Sequence, residues 1–435
     1  MSILVPKLNI SKRLPEYVMY IFVIYTLYIQ YRGLVIPNAV TMLGALTLGI
    51  VLLYMLVTHF NLLDVLTPEI TICLTFYFVT FFTGIFSSPH TSTHISRWTE
   101  SFLYFLLSIS MVYIAQKCSS VDKLAAFFCL FSLLCAVTLF IDPVLYRETS
   151  IQTNIRYSLA TTLNVNTLGT YFMFGCWCML FLMTFQKKLR FWGIVYLIAM
   201  LLAINKTGSR KNLIAIFILV VLWLFLIMFW ENKRKPLKII VFILVAGIGV
   251  YIISTQVFAG SVMALRMQEL IQDLTSNSDS YNRINMYKQG WNLFKEHPLF
   301  GVGFYGYAYY FGGYSHTTFM EVLSCTGVVG SILYFGMYVY SICKIIWLIQ
   351  ITKYNKNLYR ANMLLRLALI LWAALLFMAV GVIHIYLVIS FISFGILFAT
   401  IREAEQMIKN SNCGEYRRKY GPKRKSIGYG NSYHA

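Results

Sequence analysis

The feature that most constrains this chain is a succession of apolar blocks, most of them 17 or more residues long, separated by short polar turns. A block of that length can cross the roughly 30 Å hydrocarbon core of a bilayer as a helix. Backbone in lipid must satisfy its own hydrogen bonds, which leaves helix bundles or closed barrels. The blocks lack the strict alternation of barrel strands, so the fold class is an all-α polytopic membrane protein. The proportions agree. The chain is 59% hydrophobic and 12% charged, against about 45–50% and about 25% in soluble domains.

The spacing predicts about twelve transmembrane helices. Their cores lie at 17–35, 39–58, 70–86, 100–116, 122–141, 167–185, 191–205, 212–230, 238–254, 320–343, 364–382 and 384–401. The division of 364–401 rests on Gly381 and His384. Residues 1–401 then form one bundle and 402–435 a basic tail. No cleavable leader is evident, because the first apolar block lacks a small-residue cleavage site.

Cationic residues set the orientation. Lys7, Lys12 and Arg13 precede the first span; Lys117 and Lys123, Lys187, Lys188 and Arg190, and Lys233, Arg234, Lys235 and Lys238 follow even-numbered ones. Lys344, Lys353, Lys356, Arg360 and Arg366 flank the loop after span ten. All fall on one side, which is expected to be cytoplasmic, together with both termini. The net charge of +20 is therefore a topology signal, not a nucleic-acid surface. The tail reads as a solvated basic end near anionic lipid. The nine cysteines, most of them in apolar blocks, read as small hydrophobes and not as a disulfide or metal framework.

The other side receives residues 87–99, 142–166, 205–211 and the long loop 255–319. The turn 205–211, NKTGSRK, carries three cations on the side where cations are scarce. It is read either as a headgroup-facing turn or as an anion site. Within the long loop, 261–275 has one apolar helical face and suggests an amphipathic helix on the membrane. A polar break follows, then a second helix from about Arg283 to His297, stopped by Pro298.

Gly301 to Gly306 matches GxGxxG literally. The dinucleotide reading fails, because that fingerprint needs a strand before it and a helix start after it. A tight return of the chain to the bundle is the better reading, with glycine permitting close approach. Tyr305, Tyr307, Tyr309, Tyr310, Phe311 and Tyr314 form either an interfacial aromatic belt or a surface that binds a sugar.

Arg210, beside Ser209 and Lys211, and Arg283 each fall at an expected helix start, where free N–H groups and the helix dipole favour an anion. A guanidinium–anion contact at ~4 Å is on the order of 4 kcal/mol before desolvation. Two such sites in a chain with few acidic partners point to a diphosphate. His316 is the candidate general base at the membrane edge; His297 reads better as a helix C-cap. Glu321, about one turn further on, would orient His316 or act as a second acid/base group. No clustered carboxylates suggest a metal, and none in the spans suggest a proton relay.

The segments 207–216 (TGSRKNLIAI), 283–307 (RINMYKQGWNLFKEHPLFGVGFYGY) and 315–334 (SHTTFMEVLSCTGVVGSILY) resemble the O-antigen ligase/polymerase superfamily of bacterial membrane glycosyltransferases, with its Wzy_C-like domain. LNVNTLG, 163–169, is similar to that family's Asn-Pro-Asn segment and brings in Asn166. The family-like region spans about 160–345. The resemblance implies a bundle related to the GT-C class in the bacterial inner (plasma) membrane. It implies metal-independent chemistry without a cofactor, Arg210 and Arg283 on the diphosphate, and His316 as the catalytic histidine. Ser209, Lys211, Glu321, Tyr305, Tyr307 and Asn166 are expected around the substrate. Two positions depart from the family pattern: Thr317 replaces the usual Asn, and Val165 the proline.

The expected function is a polymerase of undecaprenyl-diphosphate-linked oligosaccharide repeat units, for O-antigen, capsular or exopolysaccharide. A ligase onto lipid A core is the nearest alternative, and a flippase of lipid-linked sugar the alternative from another class. Expected partners are lipid-linked saccharides, membrane lipids, and a chain-length regulator and flippase.

Overall fold

The computed structural model describes residues 13–29, 39–59, 64–147, 155–160, 163–228, 247 and 278–420. Within them the side chains of 145–147, 155, 227–228, 278–284 and 412–420 lie outside the described set. The expected span 238–254, the amphipathic helix 261–275 and the end of the tail likewise lie outside the described residues, apart from Gly247.

Each of the other eleven expected spans is a helix. In order they are α1 (Leu14–Ile24, continued by a wide turn Tyr25–Ile29), α2 (Ala39–Val57), α3 (Pro68–Ser87), α4 (Thr91–Lys117), α5 (Val121–Ile141), α6 (Val165–Phe185), α7 (Arg190–Thr207) and α8 (Arg210–Trp223). After the long loop come α9 (Ser278–Glu296), α10 (Gly306–Phe311), α11 (Thr318–Thr352), α12 (Tyr359–Ala379) and α13 (Val388–Tyr420). Among the described residues, eight helices are long and apolar enough to cross a bilayer, and the protein is an all-α polytopic membrane protein. The centre of the bundle is α6 and α12, whose spans are 83% and 78% buried, against 22% for α2.

Several boundaries differ from expectation. α4 starts at Thr91, so most of the presumed loop 87–99 is helix. α13 runs on to Tyr420, so the start of the basic tail continues a membrane helix. Its 33 residues reach about 50 Å at 1.5 Å per residue, well beyond the bilayer core. The segment 142–166 contains a small antiparallel ribbon, β1 (Val144–Arg147) and β2 (Ile155–Ser158), with Val144 opposite Ser158. The break between the last two helices falls at 380–387, as Gly381 and His384 suggested.

Basic residues gather at one end of the bundle. There Arg360 pairs with Asp122 at 2.6 Å and Glu403 at 3.0 Å, and Lys344 pairs with the buried Glu69 at 2.8 Å. The starts of α3, α5 and α12 are thereby tied to α11 and α13.

The opposite end is organised by a broken helix. Inside α11, Gly327 has φ 63 and ψ −165, a conformation essentially reserved for glycine. The break withdraws backbone groups from their helical partners, and at membrane depth these need replacements. The segment after Pro298 supplies them. Val328 N donates to Pro298 O at 2.8 Å and Val329 N to Leu299 O at 3.2 Å. In return Val302 N donates to Ser324 O at 3.1 Å and Gly303 N to Cys325 O at 2.8 Å. The close approach needs glycine on both sides: a Cβ on Gly301 would meet Thr326 N at 2.5 Å, and one on Gly327 would meet Phe300 N at 2.6 Å. The GxGxxG run is the tight return of the chain that its position suggested.

Candidate functional site

The first wall is built where α6 and α8 begin. Gly208 ends α7 in the left-handed conformation (φ 62) and its N–H closes back on Ile204 O at 3.1 Å. Ser209 follows as the residue before α8, so Arg210 is the first residue of that helix. Its position suits an anion, as the sequence suggested. Asn164 caps α6 by accepting from Asn166 N at 2.8 Å. Val165 is then the first residue of α6, a place that proline also suits.

Asn166, Ser209 and Asn212 form a locked group. Ser209 Oγ donates to Asn166 Oδ1 at 2.9 Å, while Asn212 Nδ2 donates to Asn166 O at 2.9 Å and Ser209 Oγ at 2.8 Å. Gly169 makes room, since a Cβ there would meet Asn212 Cγ at 2.8 Å. The buried Ser209 hydroxyl thus joins the two helix starts.

The second wall is the approach to α11. His316 is exposed and left-handed (φ 59) between the buried residues Ser315 and Thr317. The turn is held from below. Glu321 is fully buried, and its Oε2 accepts from Ser315 N at 3.1 Å. Glu321 thereby holds the backbone of the turn just before His316. Ser315 Oγ donates to Thr317 O at 3.0 Å.

The aromatic run divides. Tyr309, Tyr310 and Phe311 are exposed, whereas Tyr307 is buried and donates its hydroxyl to Met286 O at 2.9 Å. Burial, with Glu321 and Cys325 nearby, pushes its phenol up to about 12, so it serves as a neutral donor holding α9. Tyr305 is half-buried and left-handed (φ 66), with its N–H given to Tyr386 OH at 2.8 Å. The Arg97 guanidinium lies 4.8 Å from the centre of its ring and also pairs with Glu100 at 2.9 Å.

The two walls meet on the turn between α12 and α13. Lys211 Nζ donates to Gly381 O, and Thr317 Oγ1 donates to Ala379 O at 3.1 Å. Two residues span at most about 7 Å. Arg210 and His316 therefore each adjoin a residue anchored on the same short stretch.

The side chain of Arg283 lies outside the described residues. Its backbone corrects one expectation: α9 begins at Ser278, so Arg283 sits in the second turn and not at the helix start. The free N–H groups invoked for it belong to residues before it. α9 crosses α11 close to His316, where a Cβ on Gly290 would meet Met320 Cε at 3.1 Å.

The sequence marks the turn 380–387 through Gly381 and His384, but not its hydrogen bonds to both walls, nor Arg97 and Tyr386 beside them. Arg97 lies in TSTHISRWTE, whose polarity suggests a loop although it forms the start of α4. The turn accepts through its carbonyls, which leave no mark in a sequence.

Residues 195–335 match the family model Wzy_C, described as O-Antigen ligase. No curated protein matches the chain. The matched stretch contains Ser209, Arg210, Lys211, Arg283, Tyr305, Tyr307, His316 and Glu321, and leaves out Asn166 and the turn 380–387. The match supports enzymatic glycosyl transfer of the O-antigen ligase or polymerase type, with lipid-linked saccharides as the substrate class.

Proposed function

We propose that a membrane protein with an O-antigen ligase domain over residues 195–335 acts as a polymerase of lipid-linked oligosaccharide repeat units. The donor is the growing glycan on undecaprenyl diphosphate and the acceptor is a new lipid-linked unit. The work is done on the outer face of the bacterial inner membrane.

In this reading a hydroxyl of the acceptor sugar attacks the anomeric carbon of the donor. The new C–O bond forms as the bond to the diphosphate oxygen breaks. The hydroxyl proton passes to His316, and the diphosphate leaves with its electron pair. Arg210 at the start of α8 and Arg283 on α9 stabilise the charge that develops there. Direct displacement inverts the anomeric configuration. No metal or cofactor takes part.

The observation that supports this most is the shared anchorage of the two walls. The neighbours of Arg210 and His316 are fixed to carbonyls two residues apart. A cation placed for an anion and an imidazole presented to the outside are thus held together. A ligase reading uses the same donor and the same residues, with a different acceptor.

Deleting the gene and separating the cell's glycans on a gel tests the proposal. A lost polymerase leaves a single repeat unit on its anchor, whereas a lost ligase leaves full-length polymer on undecaprenyl diphosphate. Complementation with Arg210→Ala or His316→Ala is expected to leave the single unit. Normal polymer from both variants refutes the site.

A further inference from the structure

The turn after α12 concentrates interactions that neither the family match nor the sequence reading assigns. A helix end leaves carbonyls without partners, and Ala379 is the last residue of α12. Here those carbonyls, and the ones just beyond, take side-chain donors from several directions. Ala379 O accepts from Thr317, Gly381 O from Lys211, and Val382 O from Thr318 Oγ1 at 2.5 Å. Further along, Ile385 O accepts from Ser101 Oγ of α4 at 2.7 Å. The turn also donates: His384 N gives to Thr318 Oγ1 at 3.0 Å. Gly381 leaves room for the lysine, since a Cβ there would meet Lys211 Nζ at 2.5 Å and push that side chain off its carbonyl.

These donors are not spread at random. Lys211 follows Arg210, and Thr317 and Thr318 follow His316. We propose that the stretch 379–387, the last residue of α12 and the turn after it, is the positioning element of the site, fixing the separation between Arg210 and His316 through Lys211 and Thr317. The proposal rests on the roles given to Arg210 and His316 above. Lys211 and Thr317 are positioning residues here: each gives a side-chain hydrogen bond to a backbone carbonyl of this stretch, and they act through their neighbours. Reacting groups displaced by about 1 Å lose on the order of 10²-fold in rate while substrate still binds. The expected signature is therefore lost turnover without lost affinity.

The test uses full-length protein in detergent. Lipid-linked repeat unit extracted from the deletion strain serves as substrate. Lys211→Met, Thr317→Val and Gly381→Ala are each expected to lower kcat about 10- to 100-fold, with KM within about threefold and melting temperature unchanged. Thr317→Ser, which keeps the hydroxyl, restores turnover. Lys211→Met and Gly381→Ala break one contact, so the double variant is no slower than the slower single one.

Unchanged kcat in the three variants overturns the proposal. So does a raised KM at normal kcat, which makes Lys211 a ligand contact, or a Thr317→Ser variant as slow as Thr317→Val. Activity lost only in step with folded protein reduces the turn to scaffold. Failure of the functional reading looks different, because Arg210→Ala then polymerises normally.

Discussion

Replacing Gly327 by alanine tests the broken helix directly. Its φ of 63 with ψ of −165 lies in a region that side chains other than glycine enter at a cost of about 1–3 kcal/mol. The added methyl also has no room, since an ideal Cβ meets Phe300 N at 2.6 Å and the Leu299 carbonyl closer still. Residues 298–300 must then retreat and release the bonds from Val328 N and Val329 N, 2.8 and 3.2 Å long. Each lost bond at an unsolvated site costs about 1–3 kcal/mol. The sum is about 3–9 kcal/mol, a large share of the roughly 5–15 kcal/mol that holds a typical protein folded.

The assay is denaturant unfolding in detergent micelles. Gly336→Ala is the control on the same helix, because nothing lies within 4 Å of its added Cβ. That control is expected to be neutral or up to about 1 kcal/mol more stable, as alanine favours helix. If Gly327→Ala unfolds at the same midpoint as Gly336→Ala, the account of the break is wrong.

Two further outcomes are expected. Lys344→Met leaves the buried Glu69 carboxylate without its cation, and unfolding experiments should show a loss of about 3–5 kcal/mol; adding Glu69→Gln should recover part of it. His94→Leu removes the acceptor of the buried Phe304 N–H, held at 2.9 Å, and should cost about 1–3 kcal/mol in the same assay.

The spans were legible because lipid imposes one length and one composition on nearly every crossing helix. Arg210 at the start of α8 was legible too, since Gly208 and Ser209 are ordinary stop and start residues. The break at Gly327 was not: TGVVG lies inside an apolar run, and nothing local separates a broken helix from an intact one. Its cause lies about 28 residues upstream in the segment after Pro298. The start of α9 was set five residues late because SNSDSYN offers several capping residues in a row. Tyr307 was grouped with its exposed neighbours, although the bundle takes its ring inside and leaves Tyr309 and Tyr310 out. Thr317, the departure from the family pattern, spends its hydroxyl on a carbonyl 62 residues away.

The joint between 298–303 and the two halves of α11 is made by main chain, so what it reads is residue count. Leu299 and Phe300 are 61% and 42% exposed even while their backbone is engaged. Their side chains, like those of Tyr309 and Tyr310, are open to replacement without unseating the segment. A single inserted or deleted residue is another matter: it would shift the chain along the joint and separate the donors from their acceptors. Related chains are thus expected to vary at Leu299 and Phe300 while keeping the number of residues between Pro298 and Gly303.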